Sequence, residues 1–183
     1  MSIININNVF SGKGTLYNGT ISIIPPPEGV YFGNFCAIGP NLKIIGINHD
    51  YDYPALQYTF YKKYFNQFHP GRQKITKKYS KGKIVIGNDV WFGDDVTILS
   101  GGEIGDGCII GASSIVTKKL EPYTICVGNP CKEIKKRYND DIINFLLKCK
   151  WWNWDDNKIK NNQKFFNTNL NDHDVDYIKN IIV

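Results

Sequence analysis

The sequence predicts a mainly β fold: a parallel β-helix with one protruding loop and a C-terminal helical tail. Three observations carry this. Large apolar residues recur every six positions, glycine follows many of them, and a long aromatic-rich segment interrupts the spacing once. From Ile86 the text reads IGNDVW, FGDDVT, ILSGGE, IGDGCI, IGASSI, VTKKLE, placing Ile86, Phe92, Ile98, Ile104, Ile110 and Val116 in one register. Gly87, Gly93, Gly105 and Gly111 take the next position. A period of six is neither the 3.6 of a helix nor the alternation of a flat strand. It fits a short strand and a corner repeated around a prism, three hexads to a coil.

A second register, FGNFCA, IGPNLK, IIGINH, is anchored on Phe32, Ile38 and Ile44 with Gly33 and Gly39. Residues 32–49 thus supply one coil and 86–121 two more, with less regular coils allowed on either side. The inward residue of each hexad stacks on its equivalent one coil away, at about 4.8 Å. Small neighbours let the backbone turn each corner without a Cβ clash. Trp91 departs from the small residues at its hexad position, so it is expected to point outward.

The interruption, about residues 50–83, is rich in Tyr and Phe and reads as an ordered protruding loop, because long ordered loops are commonly functional. Past Pro130, Asn139 can cap a helix that opens with Asp140 and Asp141 and closes near Lys148 and Lys150, a charge order matching the helix dipole. Ile142, Leu146 and Cys149, joined by Ile143 and Leu147, form its apolar stripe, and WWNW follows at 151–154. Residues 155–172 read as a polar, Asn-rich linker. A last helix through Val175, Ile178, Ile181 and Ile182 is expected beyond it. The division is a β-helix domain at 1–138 and a helical tail at 139–183.

Composition bounds the function. With 42% hydrophobic and 21% charged residues over 183 positions, the chain suits one globular domain with appendages. It has no apolar run long enough to span a membrane and no secretory leader pattern. Five scattered cysteines without a CxxC fit reduced thiols and a cytoplasmic setting. The net charge of +5 concentrates in Lys74–Lys83 and Lys118–Arg137. The second run suits a nucleotide-like anion as well as a merely solvated face. Nucleic acid is not required.

The repeat, taken with INHDYDY, the long loop, VGNPCKEIKKRY and the helix ending in KWWNW, resembles the hexapeptide-repeat acyltransferase superfamily over about residues 30–155. It is similar within that superfamily to the xenobiotic acetyltransferases and the surface-polysaccharide O-acetyltransferases. The resemblance implies a left-handed β-helix, against the usual right-handed crossover. It also implies a homotrimer with clefts between adjacent prisms, and acetyl-coenzyme A as co-substrate.

His49 matches the catalytic histidine of the family's NH motif and would serve as general base, a role suited to imidazole. The resemblance carries the coenzyme A groove onto Trp91, Gly93, Asp94, Ala112, Thr117 and Lys118, with Lys132 and Lys135 meeting phosphates. Related sequences often have arginine where Lys132 and Lys135 stand, and lysine lacks the bidentate fork. Tyr51, Asp52 and Tyr53 fall at the acceptor side. His69 could touch substrate, whereas Lys119, Lys136 and Arg137 read as solvated.

The expected activity is acetylation of a saccharide hydroxyl, on a surface polysaccharide, a glycan or a sugar-nucleotide precursor. Alternatives are acetylation of chloramphenicol or a streptogramin, nitrogen acylation of a nucleotide amino sugar, and a non-enzymatic carbohydrate-binding β-helix. A three-histidine zinc site is disfavoured by having only His49, His69 and His173, unpaired in spacing. No metal is expected. Cys108, Cys126 and Cys131 stand beside no histidine and read as small buried hydrophobes rather than nucleophiles.

Overall fold

Each hexad folds into a strand of two to four residues followed by a corner. The computed structural model describes residues 4–72 and 77–183; the Lys74 end of the first basic run lies outside them. Strands β1 (Val9–Ser11), β4 (Val30–Phe32), β7 (Ile84–Ile86), β10 (Glu103–Ile104) and β13 (Lys119–Leu120) stack in parallel as the first sheet. Strands β2 (Leu16–Tyr17), β5 (Ala37–Ile38), β8 (Trp91–Phe92), β11 (Ile109–Ile110) and β14 (Thr124–Val127) form the second, and β3 (Ile21–Ile24), β6 (Leu42–Ile45), β9 (Thr97–Leu99) and β12 (Ile115–Val116) the third. An antiparallel strand, β15 (Lys132–Lys136), closes the second sheet against β14.

The hexad register holds in three dimensions. Phe32, Ile86, Ile104 and Leu120 pair in one column, Ile38, Phe92, Ile110 and Cys126 in the next, and Ile44, Ile98 and Val116 in the third. All are buried. The winding starts earlier than the regular register, at Val9, with β1, β2 and β3 as a first coil.

The glycines serve close approach between coils. A Cβ on Gly87 would lie 2.5 Å from the backbone nitrogen of Asp106, and one on Gly93 2.7 Å from that of Ala112. The left-handed turn itself falls two residues later, at Phe35, Asn41, Asp89, Asp95 and Ser113, with φ between 54° and 64°. Between those two positions, Asn34, Asn88 and Asp106 form a ladder. Each side-chain Oδ1 accepts the backbone N–H one coil below, from Lys13, Asn34 and Asn88 at 2.8, 2.8 and 2.7 Å. The third residue of the hexad therefore satisfies corner donors that would otherwise stay unpaired.

The interruption between β6 and β7 contains helix α1 (Tyr58–Phe65) and a 3₁₀ turn, Pro70–Arg72. Its two legs meet where Asn48 N–H donates to the Tyr79 carbonyl at 2.8 Å.

Asn139 caps α2 (Asp140–Cys149) through the Ile142 N–H at 2.9 Å. Residues 155–172 are not a linker. They fold into α3 (Asp156–Asn161), α4 (Gln163–Phe166) and a 3₁₀ turn at Leu170–Asp172, followed by α5 (Val175–Asn180). Sparse anchors among polar residues make this possible: Phe165 and Leu170 bury themselves with Ile142, Leu146, Trp152 and Ile178 in a second core. Asn162, fully buried, donates to the Lys158 and Val183 carbonyls at 2.8 and 2.9 Å and accepts from Val183 N–H at 2.8 Å.

The tail folds back along the prism. Asn34 Nδ2 donates to the Trp152 carbonyl at 3.1 Å, and the rings of Phe35 and Trp151 lie 5.3 Å apart. Arg137 is not merely solvated. Its Nη1 donates to Asp89 Oδ2 at 3.1 Å and to the Gly107 carbonyl at 2.8 Å, joining two coils to the segment that leads into the tail. Burial raises the Asp89 carboxyl above its usual range, and the Arg137 guanidinium opposes that rise.

Two stability measurements test this. Gly87→Ala should lower the unfolding free energy by about 1–3 kcal/mol, because backbone must shift to admit the methyl group. Asn162→Leu should lower it by about 1–3 kcal/mol by removing the three hydrogen bonds that this fully buried side chain makes to the Lys158 and Val183 backbone. Both are read from urea denaturation midpoints.

Candidate active site

His49 follows the third strand of the second coil, where the chain leaves the prism for the loop. Its Nδ1 lies 2.8 Å from the Leu56 carbonyl oxygen. A carbonyl can only accept, so Nδ1 carries a proton, and in the neutral ring Nε2 keeps its lone pair. The ring stacks on Tyr58 at 4.5 Å and 18°. Tyr58 in turn lies 4.5 Å from His69, whose ring also contacts Tyr53 and Tyr61 edge-on at 5.0 and 4.8 Å. An aromatic cluster inside the loop thus backs the imidazole.

His69 belongs to that cluster. It is 1% exposed; its Nδ1 accepts from Gly71 N–H at 3.0 Å and its Nε2 meets the Ala55 carbonyl at 3.2 Å. Both nitrogens are committed to backbone, leaving none for substrate or metal. His173 stacks on Tyr177 in the tail.

An open cavity of about 550 Å³ is lined by Asn48, His49, Tyr51, Lys77, Lys78 and Lys81. Of the three expected acceptor residues, Tyr51 lines it and Asp52 pairs with Lys78 at its edge. Tyr53 turns to His69 instead. Asp50, buried, accepts from Asp52 N–H at 3.1 Å and fixes the turn after the histidine.

The expected donor residues fall in three places. Trp91, 56% exposed and pointing outward, stands on β8 with Gly93 and Asp94 at the corner leading to β9. Ala112 is stacked directly on Gly93, and Ser113 N–H donates to the Asp94 carbonyl at 2.8 Å. Trp91 and Asp94 also border a cavity of about 360 Å³ with Tyr17, Phe35 and Ala37. Thr117 and Lys118 lie at a different corner, between β12 and β13, the one from which His49 departs in the second coil. Lys132 and Lys135 are exposed on β15. Within one chain, the His49 corner and the Trp91 corner border separate cavities.

Sequence reasoning missed the Leu56 carbonyl, the Tyr58 ring and the three lysines. A backbone carbonyl has no residue signature, and the lysines come from the far leg of the loop.

The thiols are out of play as nucleophiles. Cys36, Cys108, Cys126 and Cys131 are buried, and burial pushes Cys36 and Cys131 up to about 11.

Residues 83–118 match the family model described as bacterial transferase hexapeptide, six repeats. A probable macrolide acetyltransferase of Lysinibacillus sphaericus is 49% identical over 141 residues, covering 74% of this chain and 75% of that protein. The chain belongs to the hexapeptide-repeat acetyltransferase family. A chloramphenicol acetyltransferase of Klebsiella aerogenes is 42% identical, covering 73% of this chain and 63% of that protein.

Among solved structures, a maltose O-acetyltransferase from Clostridium difficile 630 superposes with a TM-score of 0.56 at 31% identity, over 71% of this chain and 59% of that one. A galactoside acetyltransferase in complex with coenzyme A gives 0.56 at 30%, over 82% and 62%. The chain therefore spans about three fifths of the length of these solved relatives. The three-sheet prism is the left-handed parallel β-helix of this family.

Native titration with an aromatic disulfide reagent should modify Cys149, which is half-buried, and spare the other four cysteines. Rapid reaction of Cys108, Cys126 or Cys131 would contradict the buried, protonated state assigned to them.

Proposed function

We propose that this chain transfers an acetyl group from acetyl-coenzyme A directly to a hydroxyl of a saccharide, with His49 as general base. One observation carries the reading: Nδ1 of His49 is held by the Leu56 carbonyl, leaving Nε2 as the basic nitrogen of a ring that borders an open cavity. His49 takes the hydroxyl proton as the oxygen attacks the thioester carbon. It returns that proton to the departing sulfur when the tetrahedral adduct collapses. No acyl-enzyme is needed, in keeping with the buried cysteines.

On this reading Gly93, Asp94, Ala112 and Thr117 lie along the pantetheine arm, with Trp91 against it. Lys118, Lys132 and Lys135 meet phosphates as point charges. A homotrimer would bring the Trp91 corner of one copy beside the His49 corner of the next. Support comes from the outer face of the second sheet, where Leu16, Ala37, Trp91, Ile109 and Ile125 stand in register as an apolar row. Five free thiols suit a cytoplasmic enzyme.

The sugar acceptor draws on the two solved relatives named for maltose and galactoside. A second reading, acetylation of an antibiotic hydroxyl, is favoured by the macrolide and chloramphenicol relatives at 49% and 42% identity.

Release of free coenzyme A thiol across sugars, chloramphenicol and macrolides tests both readings. His49→Ala should cut acceptor-dependent release by about 10²–10⁴-fold while acetyl-coenzyme A still binds. An unchanged rate in that variant would remove His49 as base. A monomer in sedimentation equilibrium with full activity would remove the shared groove.

A further inference from the structure

The cavity bordered by His49 has a cationic wall that the acetyl-transfer step does not use. Its lining includes Lys77, Lys78 and Lys81, and no carboxylate lines it among the described residues. Lys78 is taken: its ammonium pairs with Asp52 and lies 4.8 Å from the Tyr51 ring centroid. The nearby carboxylates are also engaged. Asp50 accepts from Asp52 N–H, and Glu28 accepts from Ser80 Oγ at 3.0 Å. Lys77 and Lys81 form no ion pair among the described residues.

The segment bearing these lysines is fastened to the prism. Lys81 N–H donates to the buried Ser100 Oγ at 3.0 Å, and Gly82 N–H to the buried Ser80 Oγ at 3.1 Å. The Lys81 stem crosses Gly101, where a Cβ would come within 2.7 Å of Lys81 Cδ. The Asn48 to Tyr79 hydrogen bond ties this segment to the residue before His49. Lys81 is therefore held at the cavity bordered by His49 by backbone and a buried hydroxyl, and Lys77, which lines the same cavity, stands two residues before the anchored Tyr79.

We infer that the acceptor carries an acidic group, a carboxylate or a phosphate, which Lys77 and Lys81 hold while its hydroxyl meets His49. Ammonium groups bind such anions by short charge-assisted hydrogen bonds, and the same wall repels a cationic amine. The inference rests on the acetyl-transfer reading and narrows its acceptor. Acidic sugars and sugar phosphates fit; a macrolide bearing a protonated amine does not.

Matched pairs test it: glucose against glucose 6-phosphate, and galactose against galacturonate. Each is assayed for thiol release and, separately, for calorimetric binding to the coenzyme A-loaded full chain, with inorganic phosphate as a further binding probe. Wild type should favour the acidic member by on the order of tenfold or more, mainly in KM. Lys77→Gln with Lys81→Gln should abolish the preference, and Lys77→Arg with Lys81→Arg should keep it. The KM for acetyl-coenzyme A should not move.

Equal use of neutral and acidic members would overturn the inference, as would a preference that survives the double glutamine variant. A rise confined to the KM of acetyl-coenzyme A would assign the lysines to the donor and also overturn it. The calorimetric arm separates the two levels. Lysine-dependent binding of the acidic probes without any turnover sinks the acetyl-transfer reading alone. No binding of glucose 6-phosphate, galacturonate or phosphate sinks the acidic-acceptor reading.

Discussion

The structure depends on how closely one coil lies upon the next. Strands of only two to four residues make too few hydrogen bonds to hold a sheet by themselves. They persist because each of the three regular coils buries one large apolar side chain per face against its equivalent in the next, and because the corners approach within reach of backbone hydrogen bonds. That approach leaves no room for a Cβ at Gly87 or Gly93. It also brings Asn34, Asn88 and Asp106 within hydrogen-bonding distance of the N–H groups one coil below. Burial and corner satisfaction come from the same six residues, so the repeat is cooperative in its sequence as well as its shape.

A lattice this tight has little freedom inside it, which limits where reactive groups can sit. The prism core is apolar, and its thiols are too buried to ionise. Reactive groups can stand only on outward positions, at corners, or on a segment that leaves a corner. His49 occupies the last of these. Leaving the prism frees its side chain from the inward column, and the loop then supplies the orientation that the prism does not. The Leu56 carbonyl fixes the tautomer, and Tyr58, braced by His69, supports the face of the ring. An eight-residue helix and a buried histidine are thus devoted to setting one imidazole.

Legibility in the sequence follows the same physics. The inward columns were readable because the prism demands one large apolar side chain every six residues, and the outward turn of Trp91 was readable as a violation of that demand. The cap at Asn139 and the stripe of α2 were readable from charge order and 3.6-residue spacing. Residues 155–172 were not. Their anchors, Phe165, Leu170 and the fully buried Asn162, are too widely spaced to make a pattern, and Asn162 works by pairing with backbone. His49 stands out in the sequence by its motif, but its hydrogen bond does not, because the partner is a backbone carbonyl seven residues away. Lys77 and Lys81 share a cavity with His49 only because the two legs of the loop come together at Asn48 and Tyr79.

This division of labour bears on how acceptor choice could change while acetyl transfer is kept. The proposed donor groove is built from hexad residues and strand β15. Gly93 cannot be enlarged without disturbing the coil beside it, because its Cβ would lie 2.7 Å from the Ala112 backbone nitrogen. The cavity wall near His49 is built from loop residues whose side chains face no inward column: Tyr51, Lys77, Lys78 and Lys81. Exchanging a lysine there for a neutral or apolar residue alters charge and shape at the cavity while the prism and the Leu56 clasp on His49 stay in place. Relatives that share the repeat yet carry names as different as macrolide, chloramphenicol, maltose and galactoside acetyltransferase are what such a partition would produce. The constraint that makes the β-helix rigid is therefore also what confines variation to the segment that leaves it.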